Sequence, residues 1–427
     1  MLDTIVTLLK NAGVTAWEVT DEKTRGWEFY FIRHQLDQNR AKDVEHITVK
    51  VYQLSEDGQS LGSASAELAP TASEAEAKAL VDSLAYRATL VKNKPYTLRE
   101  PSPVEAAPAE PVDVTAIAAQ FLQTVRSLPE TETEDINSYE IFVSEKSWRF
   151  LSSTGVDVRE VYPSSMIEVV VNARSREHEI ELYRSYESGS CDAEGLRRDL
   201  ARTMQYGRDR LRAAPTPALG SADVLFSSSA ATELYSHFVN RTNTQLVYRK
   251  MSNWQIGVPV AEEIRGDKVT VRAVRTLPNS SANRAFDAQG APIRDVVLVR
   301  DSVPARFLGD RMSSCYLGLD DSFIPGNIAV DPGTHSEAEL RQGQYLEVVD
   351  FSDFQVDFMT GDLFGEIRLA YWHDGETVTP VSGGSISGSM SECVRDMRLS
   401  SELTQYDAMR IPALTRLSGV TVTGIEG

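Results

Sequence analysis

Apolar positions along the chain follow one organisation up to about residue 218 and another beyond it. At the start, Leu2, Ile5, Val6, Leu8 and Leu9 share one broad helical face, with Asp3 near the beginning and Gly13 available as a stop, which predicts a helix over 2–12. Extended segments are expected at 16–19, 27–32 and 47–54. In the last, Ile47, Val49 and Val51 alternate with Thr48, Lys50 and Tyr52, the period of a half-buried strand. Asp57-Gly58 supplies a turn. A long helix over 73–92 follows, with Ser73 and Glu76 at capping-box spacing and a stripe of Ala77, Leu80, Val81, Leu84, Ala88 and Val91, closed by Pro95.

Residues 101–113 are rich in Pro, Ala and Glu, the composition of an extended surface connector. Beyond it the spacing predicts a helix over 114–128, strands near 140–143, 166–173 and 179–185, and a helix over 193–213 that ends before Pro215. Helix, strands, helix thus occurs twice within 1–213, consistent with an internal structural repeat, although no residue-level repeat accompanies it. The last of these helices carries arginines at 197, 198, 202, 208, 210 and 212. Such a run is either a solvated face opposite the Leu196, Leu200, Met204 and Leu211 stripe, or a docking surface for an acidic patch on a partner.

From 218 onward a single helix, 229–239, precedes mostly extended segments at 269–274, 296–299, 345–349, 354–358, 367–372 and 420–423, punctuated by turns such as Gly383-Gly384. The fold class expected is α+β. An N-terminal α/β domain over 1–217 is followed by a β-rich domain over 218–427, built on a large, largely antiparallel sheet.

Composition narrows the function. The chain has 427 residues, 41% apolar and 25% charged, as in an ordinary globular protein. A formal charge of −19 argues against a nucleic-acid partner, because neutralising phosphates needs clustered Lys and Arg. It is compatible with a basic or a peptide-like partner but does not select one. Cys191, Cys315 and Cys393 are too widely spaced for a zinc ribbon or a disulfide framework. The N-terminus lacks a basic region ahead of its apolar residues, and no run approaches the ~20 apolar residues of a membrane span. A cytoplasmic location without a membrane partner is expected.

The second half resembles the TldD/PmbA family, also called modulators of DNA gyrase, over about 218–424. The resemblance begins with Val224-Leu225-Phe226 leading into Ala231-Thr232-Glu233-Leu234-Tyr235-Ser236-His237-Phe238-Val239, then Val247-Tyr248-Arg249-Lys250. It continues through Phe286-Asp287-Ala288-Gln289-Gly290-Ala291-Pro292, which looks like the family's F-D-x-E-G-x-P turn, and a hairpin over 301–308. Pro332-Gly333-Thr334, Met359-Thr360-Gly361-Asp362, Ile386-Ser387-Gly388 and the tail from Arg410-Ile411-Pro412 to Gly424 complete it. Each piece is weak alone, and their shared order carries the resemblance. In the first half, Asp57-Gly58 through Ser63 and 152–156 look more loosely like the family's turns.

Catalytic TldD-like members carry H-E-x-x-x-H on this helix and a cysteine in a Gly-rich loop near the C-terminus. Zinc needs about three such ligands plus an open position for water. In this chain the first His position is Thr232, the Glu position is Glu233 and the last His position is His237. Threonine is a poor zinc ligand at neutral pH. Cys393 lies in a helical-looking stretch over 391–399, outside the expected loop, and 400–410 contains no Cys, Gly or His. Glu233 and His237, four apart on a helix, are expected to form a hydrogen bond or a partly buried structural pair; a weak site completed by a partner or water is the alternative. Positions five apart diverge by about 140° on an ideal helix, so the family's motif implies local distortion. His178-Glu179 has no second His and reads as surface, in a strand-like segment. The Gly/Ser-rich stretch 385–390 lacks a following Lys and reads as a turn near the family's cleft.

The resemblance implies a TldE/PmbA-like subunit with no catalytic or metal-binding residues and no cofactor of its own. Zinc would belong to a TldD-like metallopeptidase partner, and the substrate would be a peptide or an unfolded protein segment. A homodimeric binding scaffold without protease activity is the alternative. A self-sufficient metallopeptidase would need ligands that the sequence does not visibly supply.

Overall fold

The computed structural model describes residues 1–104 and 111–425. The central part of the expected 101–113 connector lies outside these described residues. The first half is one antiparallel sheet carrying helices on one face. The helix α1 (Leu2–Asn11) is followed by β1 (Ala16–Ile32), β2 (Gln35–Leu54), β3 (Leu61–Leu68) and α2 (Glu74–Thr89). The same order then recurs as α3 (Val114–Arg126), β4 (Glu134–Ser152), β5 (Asp157–Arg174), β6 (Glu179–Ser188) and α4 (Ala193–Leu211). The strand order β3-β2-β1-β4-β5-β6 places the two units back to back across an antiparallel β1/β4 seam. The repeat is therefore one of architecture.

Several local expectations hold for the expected reasons. Ser73 and Glu76 close a capping box at the start of α2. Ala77, Val81, Leu84 and Ala88 are buried against Val19, Ile47, Val49 and Val51, whereas Val91 lies past the helix end and is exposed. The strands are much longer than their apolar cores. Residues 16–19 and 27–32 belong to one strand, because β1 is hydrogen-bonded on both edges even where its side chains are polar.

Period-2 alternation sends the odd residues of β1 and β4 toward the helices, with Phe31, Tyr139, Ile141 and Val143 under α3 and α4. Trp148 and Phe150 point to the opposite face, where they pack with Val156 on Ala285 and Phe286. This is where the second half docks. The Glu160 carboxylate accepts the backbone N–H groups of Ala285 (2.6 Å) and Phe286 (3.2 Å), and the Arg284 guanidinium lies over Trp148 and Tyr162. The turn after Phe286 needs glycine at 290. Its φ is +74°, and a Cβ there would sit 2.8 Å from the Phe150 ring.

The second half has two sheets where one large sheet was expected. The first, six-stranded, runs Val303–Pro304, Val296–Arg300, Val271–Val274, Asn327–Val330, Met409–Pro412, Leu403–Tyr406. In the other, Tyr345–Val356 pairs with Gly220–Phe226, which pairs with Thr415–Thr423, then Ser385–Ser389, then Asp362–His373. Asp362–His373 pairs back onto Tyr345–Val356, so the ring closes into a five-stranded barrel. Residues 345–349 and 354–358 are not separate strands, because register shifts between Val348 and Asp353 let one strand bend around the barrel. The stretch 385–390 is not a turn either. Ser385–Ser389 is a strand of the barrel wall, and its Gly/Ser content lets it pair closely on both edges. Among the described residues no helix is long and apolar enough to cross a membrane.

Candidate functional site

The helix α5 (Ala231–Arg241) leaves the barrel strand Gly220–Phe226 through three serines, 227–229. Leu234, Tyr235 and Phe238 anchor it in the main core, and the Tyr235 hydroxyl meets the Thr415 hydroxyl at 2.7 Å. The segment is α-helix throughout Ala231–Arg241, its first turn tightened by i→i−3 bonds from the N–H groups of Ala231, Thr232 and Glu233 to the carbonyls of Ser228, Ser229 and Ala230. Thr232 and His237, five apart, point away from each other.

Thr232, in the first turn, donates its hydroxyl to the Ser229 carbonyl at 2.7 Å, a local back-bond to the main chain three residues earlier. Glu233 is half-buried at the edge of a cavity of about 460 Å³. Burial raises its carboxyl above the ordinary range, and among the described residues no cation opposes the shift.

His237 does not contact Glu233, contrary to the expected pair. Four residues carry it about 6 Å further along the helix axis, where Trp254 and Phe238 meet its ring edge to face at 5.8 and 5.9 Å. Gly361 closes over it, since a Cβ there would lie 2.9 Å from Cε1. His237 is 7% exposed, lines a separate cavity of about 40 Å³, and keeps an unpartnered Nδ1. Burial and the nearby Arg241 guanidinium lower its pKa to about 4. Arg241 in turn ties α5 to the carbonyls of Met251 and Met359 and to Asn253. The Met359-Thr360-Gly361 turn thus acts as a lid over the imidazole.

Cys393 ends a short helix, Met390–Cys393, inside the main apolar core, where burial pushes its thiol up to about 11. Residues 403–412 form a hairpin that brings Tyr406 to the larger cavity. His178 is exposed in the turn before β6, outside any strand. Among the described residues no three His, Cys, Asp or Glu side chains converge as a metal cluster. The donors at the motif positions do not fit zinc: the Thr232 hydroxyl is committed to a carbonyl, Glu233 and His237 open into different cavities, and the Cys393 thiol is packed among apolar side chains.

It follows that Thr232→His alone is expected to create no zinc site, because the restored imidazole would face the larger cavity while His237 stays under its lid. Zinc per chain, measured by mass spectrometry after dialysis, should remain far below one equivalent. One retained equivalent would mean that α5 reorganises and the two cavities are not independent.

The larger cavity lies between the two halves. One wall is β6 and α4, with Tyr186, Asp199, Arg202 and Tyr206; the other is 227–233, 349–354 and Tyr406. Arg184 of β6 reaches across to Asp350 at 3.1 Å. Burial raises the Asp199 carboxyl, which Arg202 and Arg198 oppose, and pushes the Tyr206 and Tyr406 phenols up to about 12.

The arginine run of α4 is largely consumed within the chain. Arg208 pairs with Glu134, Arg212 with Asp209, and Arg197 donates to the Ser127 hydroxyl. Of the residues lining the larger cavity the sequence points to Arg202 only as one of an arginine run, and it gives no sign of β6 or Tyr406. They reach the cavity only through the docking of the two halves, and no local pattern signals that.

Residues 219–424 match the family model described as the PmbA/TldA metallopeptidase C-terminal domain. The chain is similar to metalloprotease PmbA of Escherichia coli O157:H7, 26% identical over 304 residues, covering 69% of this chain and 65% of that relative's length. In fold it is similar to TldE from Thermococcus kodakarensis, with a TM-score of 0.79 at 14% identity over 99% of this chain and 100% of the other. A proposed modulator of DNA gyrase from Thermotoga maritima gives 0.78 at 15% identity over 99% of both chains. Another from Bacteroides thetaiotaomicron gives 0.78 at 15% over 99% of this chain and 98% of the other. With the ordered motifs of its second half, the barrel and the helix that carries the motif positions, this chain carries the C-terminal domain of the TldD/PmbA family over residues 219–424.

Proposed function

We propose that this chain is a non-catalytic, TldE/PmbA-like subunit. It pairs with a TldD-like chain that supplies the zinc and the hydrolysis, and it holds peptides or unfolded segments in extended form for cleavage. The observation that carries the reading is the larger cavity. It has the dimensions of a ligand site, it is bounded by Thr232 and Glu233 of the degenerate motif, and among the described residues no metal-binding cluster faces it. Its other border is β6, the outermost strand of the first sheet. Tyr183, Arg184, Ser185 and Tyr186 all line it. Side chains alternate between strand faces, so four in succession mean that the strand edge itself fronts the cavity. Such an edge suits an extended peptide added as a further strand.

A protein partner is supported by exposed apolar side chains at Met251, Ile256, Val258, Phe358 and Met359; the backbone carbonyls of Met251 and Met359 meet at the Arg241 guanidinium. Exposed apolar side chains of this kind would also serve the second reading, a homodimeric peptide-binding scaffold.

Co-expression with an H-E-x-x-x-H-bearing chain of the family is expected to give a stable complex whose peptidase activity is lost with chelator. The isolated protein should neither hold stoichiometric zinc nor cleave unstructured peptides. Self-association with no complex would favour the scaffold. Tight zinc together with peptidase activity in the isolated chain would overturn both readings.

A further inference from the structure

The larger cavity brings together the guanidiniums of Arg184 and Arg202 and the carboxyls of Asp199, Asp350 and Glu233. Arg184 is matched by Asp350 at 3.1 Å, and Arg202 is the leading positive influence on Asp199. Glu233 is left over. Among the described residues no cation acts on it, and burial is the sole influence on its carboxyl. A half-buried carboxylate without a counter-charge is unfavourable and gains from any cation that reaches it.

The same cavity offers aromatic surface beside that charge. Phe351 and Phe354 stack at 4.7 Å, and Tyr206 and Tyr406 complete the walls. Aromatic faces attract cations and accept the methylene stem of a lysine or arginine whose head lies elsewhere. The overall charge of −19 also draws basic chains toward the protein.

We propose that Glu233 is the receptor for a basic side chain, lysine or arginine, of an extended peptide whose stem lies along the Phe351 and Phe354 rings. The proposal rests on the peptide-holding reading above and adds a substrate class to it. The surviving acidic position of the degenerate motif thereby acts as a specificity residue, selecting by charge.

The test is fluorescence anisotropy on the full chain at low salt. The probes are short unstructured peptides, acetylated and amidated at their ends, identically labelled, and differing at one central position: lysine, arginine, norleucine or glutamate. Lysine and arginine peptides are expected to bind about 10-fold tighter than the norleucine peptide, a difference of about 1.4 kcal/mol, with glutamate weakest. Glu233→Gln should bring the lysine peptide down to the norleucine level and leave the norleucine peptide unchanged. Glu233→Asp should keep part of the preference. Equal binding of lysine and norleucine peptides, or a lysine preference undiminished in Glu233→Gln, overturns the assignment while the peptide-holding reading stands. Failure of every peptide to bind, to the chain alone and in complex with its partner, overturns the peptide-holding reading and this proposal together.

Discussion

Asp287→Ala is expected to lower the stability of the protein by about 3–5 kcal/mol, the range for removing one partner of a buried charge pair. The Asp287 carboxylate is 4% exposed and accepts the backbone N–H groups of Gln289, Ala291 and Ile324, each at 2.8 Å. It also faces the Arg99 guanidinium at 4.0 Å, two of whose nitrogens are buried without other partners. Deleting the carboxylate strands three N–H groups and a buried positive charge at once. The turn it organises is the one that presses Phe286 and Gly290 onto Trp148 and Phe150, so the loss falls where the two halves join. Urea denaturation of the variant beside Asp331→Ala separates this from ordinary charge removal. Asp331 and Arg272 pair at 2.7 Å but are each about 40% exposed, and such a pair contributes about 1 kcal/mol or less. Similar losses in both variants would show that the Asp287 cage carries no special weight.

The second large effect is a pH dependence. His237 titrates at about 4 in the folded protein because burial and Arg241 disfavour the imidazolium, against a weaker favourable influence from Asp357. In the unfolded chain its ordinary value is about 6.5. Between those values the unfolded chain holds a proton that the folded chain lacks. The contribution of His237 is therefore complete above about pH 6.5 and is lost as pH falls toward 4. At about 1.36 kcal/mol per pH unit the interval is worth about 3 kcal/mol. Urea midpoints at pH 7, 5.5 and 4.5 should fall more steeply for the parent protein than for His237→Leu, which has no proton to gain. Parallel slopes would mean that the folded site accepts the proton and that the lid over the ring opens readily.

The elements best predicted from sequence are those whose signals are local. The Ser73/Glu76 box and the stop at Gly13 can both be read from neighbouring residues, and the structure uses each as its chemistry suggests. Strand lengths were not legible. The middle of β1 and the first half of β2 are polar and are held by backbone pairing and cross-strand ion pairs such as Lys23–Glu45 and Arg25–Asp43, which leaves no apolar alternation to read. Closure of the barrel was equally hidden, since it joins strands far apart in the chain. At the site, the helical spacing of Glu233 and His237 was legible but their separation was not. That depends on Trp254 and Gly361, which arrive from other segments and enclose one residue of the pair only.

The closed barrel also orders events during synthesis. The strand Thr415–Thr423 lies between Gly220–Phe226 and Ser385–Ser389, so the ring stays open until that strand leaves the ribosome. By then the first sheet and α4 have long been available to fold as a unit. Long-range closures of this kind are slow, and strands awaiting them expose unpaired edges. A nascent chain paused before residue 415 thus presents open strand edges to its surroundings, and the step that completes the barrel is also the one that removes them.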